Sequence, residues 1–175
     1  FKQDLSRTRM TIKERYEGVL DHLAKEWPAA DSELNFENAY QLLVAVMLSA
    51  QCTDKRVNMV TPALFAAYPT IQQLALATTE DVLQHIKSVS YPNSKATHLV
   101  EMAKRVVEVY KGRIPDTREE LQTLAGVGRK TANVVCAVWW NQPTMAVDTH
   151  IFRVAERIGL TTNAKNPLDS EKQLI

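Results

Sequence analysis

Two residues have types and settings that could do chemistry: Lys130, in "LAGVGRKTANVV" (residues 124–135), and Asp148, in "AVDTHIFRV" (residues 146–154). Lys130 falls in the first turn of a predicted helix, where the positive end of the backbone dipole disfavours a cation. Its amine, when neutral, is a nucleophile. Asp148 stands where the N-cap of the next helix belongs, and as a cap it is structurally satisfied. Aimed into a cleft opposite an amine, its carboxylate could also stabilise a cationic sugar or orient an attacking group. Each residue keeps an ordinary reading as well: a lysine on a helix is usually a solvated charge, and an aspartate before one is usually only a cap.

The turn in front of Lys130 is what would position its amine. A helix over 117–124, a turn with Gly126 and Gly128, and a helix over 129–140 make a helix–hairpin–helix unit. Glycine at both turn positions permits positive φ and removes Cβ atoms from the approach face. The N–H groups opening the second helix can then donate to phosphate oxygens, aided by the helix dipole. Such contacts hold a duplex without reading its bases. The plainer alternative is a helical hairpin whose glycines only cap and turn.

The chain around these residues has 175 positions, enough for one domain or two small lobes sharing a core. Its net charge of +1 supplies no global field for nucleic acid, so any phosphate binding must be local. Cys52 and Cys136 are the only cysteines, too few for a zinc or iron–sulfur site, and without a secretory signal they point to a reducing, intracellular setting. The four histidines lack ligand spacing, so no metal site is assigned. The apolar run "AYQLLVAVMLSA" (39–50) is too short to cross a bilayer, and the polar start "FKQDLSRTRM" is no signal peptide. The missing initial Met suggests that some N-terminal residues precede Phe1.

Almost every segment reads with a period near 3.6, which predicts nine or ten helices and no strand. An amphipathic helix over 8–26 carries Ile12, Tyr16, Val19, Leu20 and Leu23 on one stripe. Asn38 with Gln41 makes a capping-box pattern for 39–50, which is apolar nearly all round and should be the central helix. Thr53 or Asp54 caps the next helix, and Pro62 should kink or restart it with Thr61 as a fresh cap. Two short helices follow, the second opened by Thr78 or Thr79. "SYPNSK" reads as a turn before a long helix from Ser94 that Gly112 stops. Thr117 with Glu120 opens the helix to Leu124, and Gly159 stops the helix that Asp148 caps. Residues 161–175 are polar and end inside what reads as an incomplete helix.

"LSAQCTDKRVN", "NSKA", "LAGVGRKTANVV" and "AVDTHIFRV", in this order and spacing over roughly residues 10–160, resemble the endonuclease III branch of the helix–hairpin–helix DNA glycosylases. The resemblance implies an all-α protein of two helical lobes with a DNA-binding cleft. A six-helix barrel would span 34–143 and contain the helix–hairpin–helix at 117–140. Residues 1–33 with 144–175 would form the second lobe, truncated before the family's usual iron–sulfur region. Lys130 and Asp148 would face each other across the cleft.

The activity implied is that of a base-excision-repair DNA glycosylase with AP lyase activity, acting on oxidised or damaged pyrimidines flipped out of the duplex. Lys130 corresponds to the nucleophile that forms a Schiff base at the sugar C1′, and β-elimination then cuts 3′ to the abasic site. Asp148 corresponds to the carboxylate that assists departure of the base. Gln51 matches the residue that fills the gap left by the flipped nucleotide. Tyr91 falls at a second wedge: the family's "GLYxxKA" reads "SYPNSKA" here, with Pro92 in place of tyrosine. Gly126, Val127 and Gly128, followed by Arg129 and Thr131, are the hairpin's implied DNA contacts, and His150 is another. Ala125 stands where the family usually has proline.

The implied partner is double-stranded DNA with a damaged base or abasic site, bound by a monomer with no membrane association. The implied location is cytoplasmic, or nucleoid-associated in a bacterium. None of the four cysteines that hold the family's [4Fe–4S] cluster is present, so the chain shown is assigned no cofactor; the cluster is expected in a complete protein if C-terminal cysteines follow. Lys130 separates the chain from the adenine-glycosylase sibling, which usually lacks that lysine. The alternatives are a monofunctional glycosylase and a non-catalytic helix–hairpin–helix DNA-binding module.

Overall fold

The computed structural model describes residues 10–28 and 32–175. Over these residues the protein is all-α, with ten helices and no strand. In chain order they are α1 (Ile12–Glu26), α2 (Ala39–Ser49), α3 (Asp54–Ala67), α4 (Ile71–Ala75), α5 (Thr79–Ile86), α6 (Pro92–Tyr110), α7 (Arg118–Leu121), α8 (Arg129–Trp140), α9 (Thr149–Arg157) and α10 (Pro167–Leu174). No described helix is long and apolar enough to cross a membrane. The chain divides into two compact units, Ser32–Ala146, and Phe1–Asp31 with Val147–Ile175.

Ser32–Ala146 is built around α2. From Leu42 to Leu48 that helix has no polar side chain, and every one of those residues is buried. Burying a large aliphatic side chain contributes roughly 1.5–3 kcal/mol, so α2 is stable only when wrapped; α3, α6 and α8 pack against it. Asn38 caps α2 by accepting from the Gln41 N–H (2.9 Å). The return half of the expected capping box is shifted, because the Gln41 side chain accepts from the Glu37 N–H (2.8 Å) instead of from the cap residue. Thr53, Thr70, Thr78 and Thr117 cap α3, α4, α5 and α7 through their hydroxyls.

Three expectations fail for the same kind of reason. Pro62 does not restart the helix with Thr61 as a fresh cap; α3 runs through it. A proline inside a helix costs about 3 kcal/mol, which the buried row Val57, Val60, Thr61 and Leu64 offsets while Pro62 itself faces outward. Pro92 belongs to α6 rather than to a turn: it takes the first helical position, where a missing N–H is harmless. The helix expected to reach Leu124 ends at Leu121, and the chain tightens through Thr123 N–H to Glu120 O (3.0 Å) and Leu124 N–H to Leu121 O (3.1 Å).

The second unit holds α1, α9 and α10. Thr11 and Glu14 close a full capping box on α1, and the expected start at residue 8 lies outside the described residues. The α1 stripe is not a core face, since no residue of α1 is buried and Ile12 is 52% exposed. Arg15 donates to Gly159 O (3.3 Å), and the Tyr16 hydroxyl donates to Leu174 O. α9 packs on α10, and Asn166 caps α10.

Candidate functional site

The hairpin between α7 and α8 assigns different work to its two glycines. Gly126 adopts φ +72°, and a Cβ there would come 2.8 Å from the Cβ of His98 on α6. Backbone conformation and close packing both require glycine at that point. Val127 is buried and its N–H returns to Leu124 O (3.2 Å). Gly128 does not use the positive φ that its residue type permits. Its φ is −86° and ψ 176°, ordinary extended backbone, and no atom lies within 4 Å of its missing Cβ. What Gly128 contributes is the lack of a side chain: as N-cap of α8 it leaves that helix start without a side-chain cap. A helix N-terminus built this way suits an anion.

Arg129, Lys130 and Thr131 make the first turn of α8, which has no acidic residue. Lys130 and Thr131 line a cavity of about 290 Å³, at the small end of the roughly 300–1,000 Å³ of ligand sites. Val134, Val46 and Leu34 supply apolar wall, while Ser49, Gln51 and Asp54 bring polar groups. Asn133 anchors α8 beside it: its amide donates to Met145 O (2.9 Å), and the Thr144 hydroxyl donates to Asn133 O (2.7 Å).

Gln51 and Tyr91 are both exposed and both left-handed, with φ of 53° and 54°. Their loops are tied together, because the Ser90 hydroxyl donates to Gln51 O (2.7 Å). Beneath them the ammonium of Lys95, a residue only 9% exposed, donates to Leu48 O (2.8 Å) and Ala50 O (2.7 Å). Burial holds the Lys95 pKa below the ordinary lysine value.

Asp148 caps α9 in the other unit. One carboxylate oxygen accepts from both the His150 and Ile151 N–H groups, each at 2.9 Å. His150 lies in the first turn of that helix and is exposed.

The structure therefore brings Lys130, Thr131 and Gln51 to one cavity and links Gln51 to the Tyr91 loop. Gly126, Val127, Gly128 and Arg129 form the hairpin that leads into it. Among the described residues no group of three histidine, cysteine or acidic side chains could hold a metal ion. Cys52 and Cys136 are free thiols, and this chain's residues do not fit a four-cysteine cluster.

The sequence reading missed three residues. Asp54 was weighed only as a cap and proves to line the cavity. Ser90 carried no signal. Lys95 did: it sits four residues before Leu99 on the buried stripe of α6, an odd place for a solvated charge.

The family described as HhH-GPD superfamily base excision DNA repair protein matches residues 44–175. The chain is 43% identical over 157 residues to endonuclease III of Rickettsia felis (strain ATCC VR-1525 / URRWXCal2), covering 90% of this chain and 73% of that protein. Against endonuclease III of Escherichia coli (strain K12) it is 40% identical over 157 residues, covering 90% and 74%. Among solved structures it is similar to a trapped endonuclease III–DNA covalent intermediate, an estranged-adenine complex, with a TM-score of 0.88 and 41% identity over 95% of this chain and 78% of that one. A thermostable thymine-DNA glycosylase, with a TM-score of 0.75 at 18% identity over 93% and 85%, shares the fold alone.

Proposed function

The chain belongs to the HhH-GPD superfamily of base excision DNA repair proteins, in its endonuclease III branch, and from that premise we propose that Lys130 and Asp148 are the residues that carry its chemistry. The protein is a bifunctional DNA glycosylase and AP lyase that removes oxidised or damaged pyrimidines from double-stranded DNA. The observation that best supports the role of Lys130 is that it shares one cavity of about 290 Å³ with Gln51.

The Lys130 amine attacks C1′ of the flipped nucleotide. The glycosidic C1′–N bond breaks, and the base leaves with the proton the amine gives up. The Asp148 carboxylate stabilises positive charge on the sugar as the base departs. The adduct then opens: C1′–O4′ breaks, O4′ takes a proton from water, and the nitrogen lone pair forms a protonated Schiff base. That cationic imine acidifies the C2′ proton, and its loss expels the 3′ phosphate, cutting the strand. Water hydrolyses the imine and returns the amine.

The amides opening α8, helped by Arg129 and Thr131, grip backbone phosphate, while Gln51 fills the vacated space and Tyr91 enters as the second wedge. His150, in the first turn of α9, makes a further DNA contact. In this reading 34–143 is the six-helix barrel, 1–33 with 144–175 the second lobe, and the protein works as a monomer on chromosomal DNA inside the cell. If cysteines follow in a longer protein, a [4Fe–4S] cluster belongs to that part; none of the steps above uses it.

Borohydride reduction tests the assignment. The protein is expected to become covalently trapped on abasic or thymine-glycol DNA, and Lys130→Ala to lose trapping by at least about a thousandfold while binding the same duplex nearly as well. A wild-type protein that binds but never traps would overturn the lyase; trapping that survives Lys130→Ala would move the nucleophile elsewhere.

A further inference from the structure

Lys95 is a buried cation whose hydrogen-bond partners are carbonyls, not carboxylates. Its ammonium takes Leu48 O and Ala50 O at the end of α2, and among the described residues it has no ion pair. Burying an ammonium costs several kcal/mol, and an apolar side chain of the same length would pack there without that cost. The charge does suit the C-terminal end of a helix dipole, and α2 has no basic residue in its own last turn.

The segment it grips runs directly into Gln51. A side chain other than glycine in the left-handed region costs about 1–3 kcal/mol and persists only where the surroundings over-determine it. The surroundings do so here. Lys95 fixes Ala50 O, the Cys52 N–H turns back to Ser49 O (3.0 Å), and Ser90 fixes Gln51 O. The second left-handed tip, Tyr91, is the N-cap of α6, and its carbonyl takes the first intrahelical bond from the Lys95 N–H (3.2 Å), as it would from any non-proline residue there. The Lys95 side chain thus reaches the Gln51 tip from within the core, and the Ser90 hydroxyl ties that tip to the Tyr91 loop.

We propose that Lys95, assisted by Ser90, is a positioning residue that presets Gln51 and Tyr91 as a rigid pair, so that both enter the duplex without reorganising their loops. The inference rests on the glycosylase reading above. It makes the insertion step, rather than the chemistry on the sugar, depend on a residue that touches no DNA.

Lys95→Met removes the ammonium and keeps the length of the side chain. Single-turnover base release from a thymine-glycol duplex is expected to fall about tenfold, and borohydride trapping on an abasic duplex by less than about threefold, because an abasic site has no base to unstack. In a Gln51→Ala background the same substitution should slow base release by less than about threefold, since the residue it acts through is gone. Ser90→Ala, at a half-buried hydroxyl, should reproduce the split at about two- to threefold; it carries the test if Lys95→Met melts below the assay temperature.

Equal losses on the two substrates, or a tenfold loss undiminished beside Gln51→Ala, would reduce Lys95 to a stability residue and overturn the proposal. So would wild-type base release in Lys95→Met. If the wild-type protein neither releases base nor traps, the glycosylase reading fails and this inference with it; an active wild type with no split in the variants removes this inference alone.

Discussion

α8 and α9 start from nearly the same backbone and finish the start in opposite ways. Gly128 has φ −86° and ψ 176°, Asp148 has φ −102° and ψ −175°, and both are N-caps. Asp148 puts one carboxylate oxygen on two amides, so α9 supplies its own anion. Gly128 offers no side chain, and α8 carries two cations and no acid in its first turn. With the backbone nearly constant the cap side chain differs: α9 is capped from within, and in the proposed reading the amides opening α8 are kept for a backbone phosphate.

Asp148 offers the largest break in that contrast. Asp148→Asn keeps a capping oxygen, so the urea midpoint should stay within about 0.5 kcal/mol of wild type, whereas base excision should slow about a hundredfold. Asp148→Ala should lose both, with an added destabilisation of about 1 kcal/mol. Wild-type turnover in the asparagine variant would leave Asp148 a cap and nothing more.

Gly126→Ala comes next. Positive φ and a Cβ set 2.8 Å from His98 Cβ leave no relaxed position for the methyl group. A loss of about 1–3 kcal/mol in denaturant melts is expected, against a much smaller change for Gly128→Ala, where the space is open. Equal effects at the two glycines would mean that the hairpin does not have the shape described.

The subtlest experiment makes α8 resemble α9. Gly128→Ser fits the extended backbone and supplies a cap, so it should raise stability by a few tenths of a kcal/mol. It should also weaken binding to an abasic duplex several-fold and flatten the salt dependence of affinity by about one phosphate contact. Affinity and salt slope unchanged in that variant would show that the amides opening α8 do not hold DNA.

Legibility followed range. The caps at Asn38, Thr53, Thr78, Thr117 and Asp148 were readable because each hydroxyl, amide or carboxylate reaches an N–H two or three residues on. The wholly apolar run of α2 announced the central helix for the same reason, since nothing outside the run was needed to see it. Pro62 misled because its local cost is outweighed by burial on the opposite side of α3, and burial is not written in the neighbouring residues. The α1 stripe has genuine apolar spacing, yet none of its residues is buried and only Tyr16 and Val19 are half-buried. The extended backbone of Gly128 was not legible in the sequence, because glycine permits positive φ without requiring it.

The amino-acid order alone determined the helices, the hairpin, the lysine behind it and the capping aspartate, all of them products of contacts a few residues long. Only the folded molecule decided that Lys130 and Gln51 share a cavity, and that Lys95 closes its hydrogen bonds with carbonyls 45 and 47 positions away. Contacts of that reach depend on which faces the helices bury against one another, and no local pattern of residue types contains that choice.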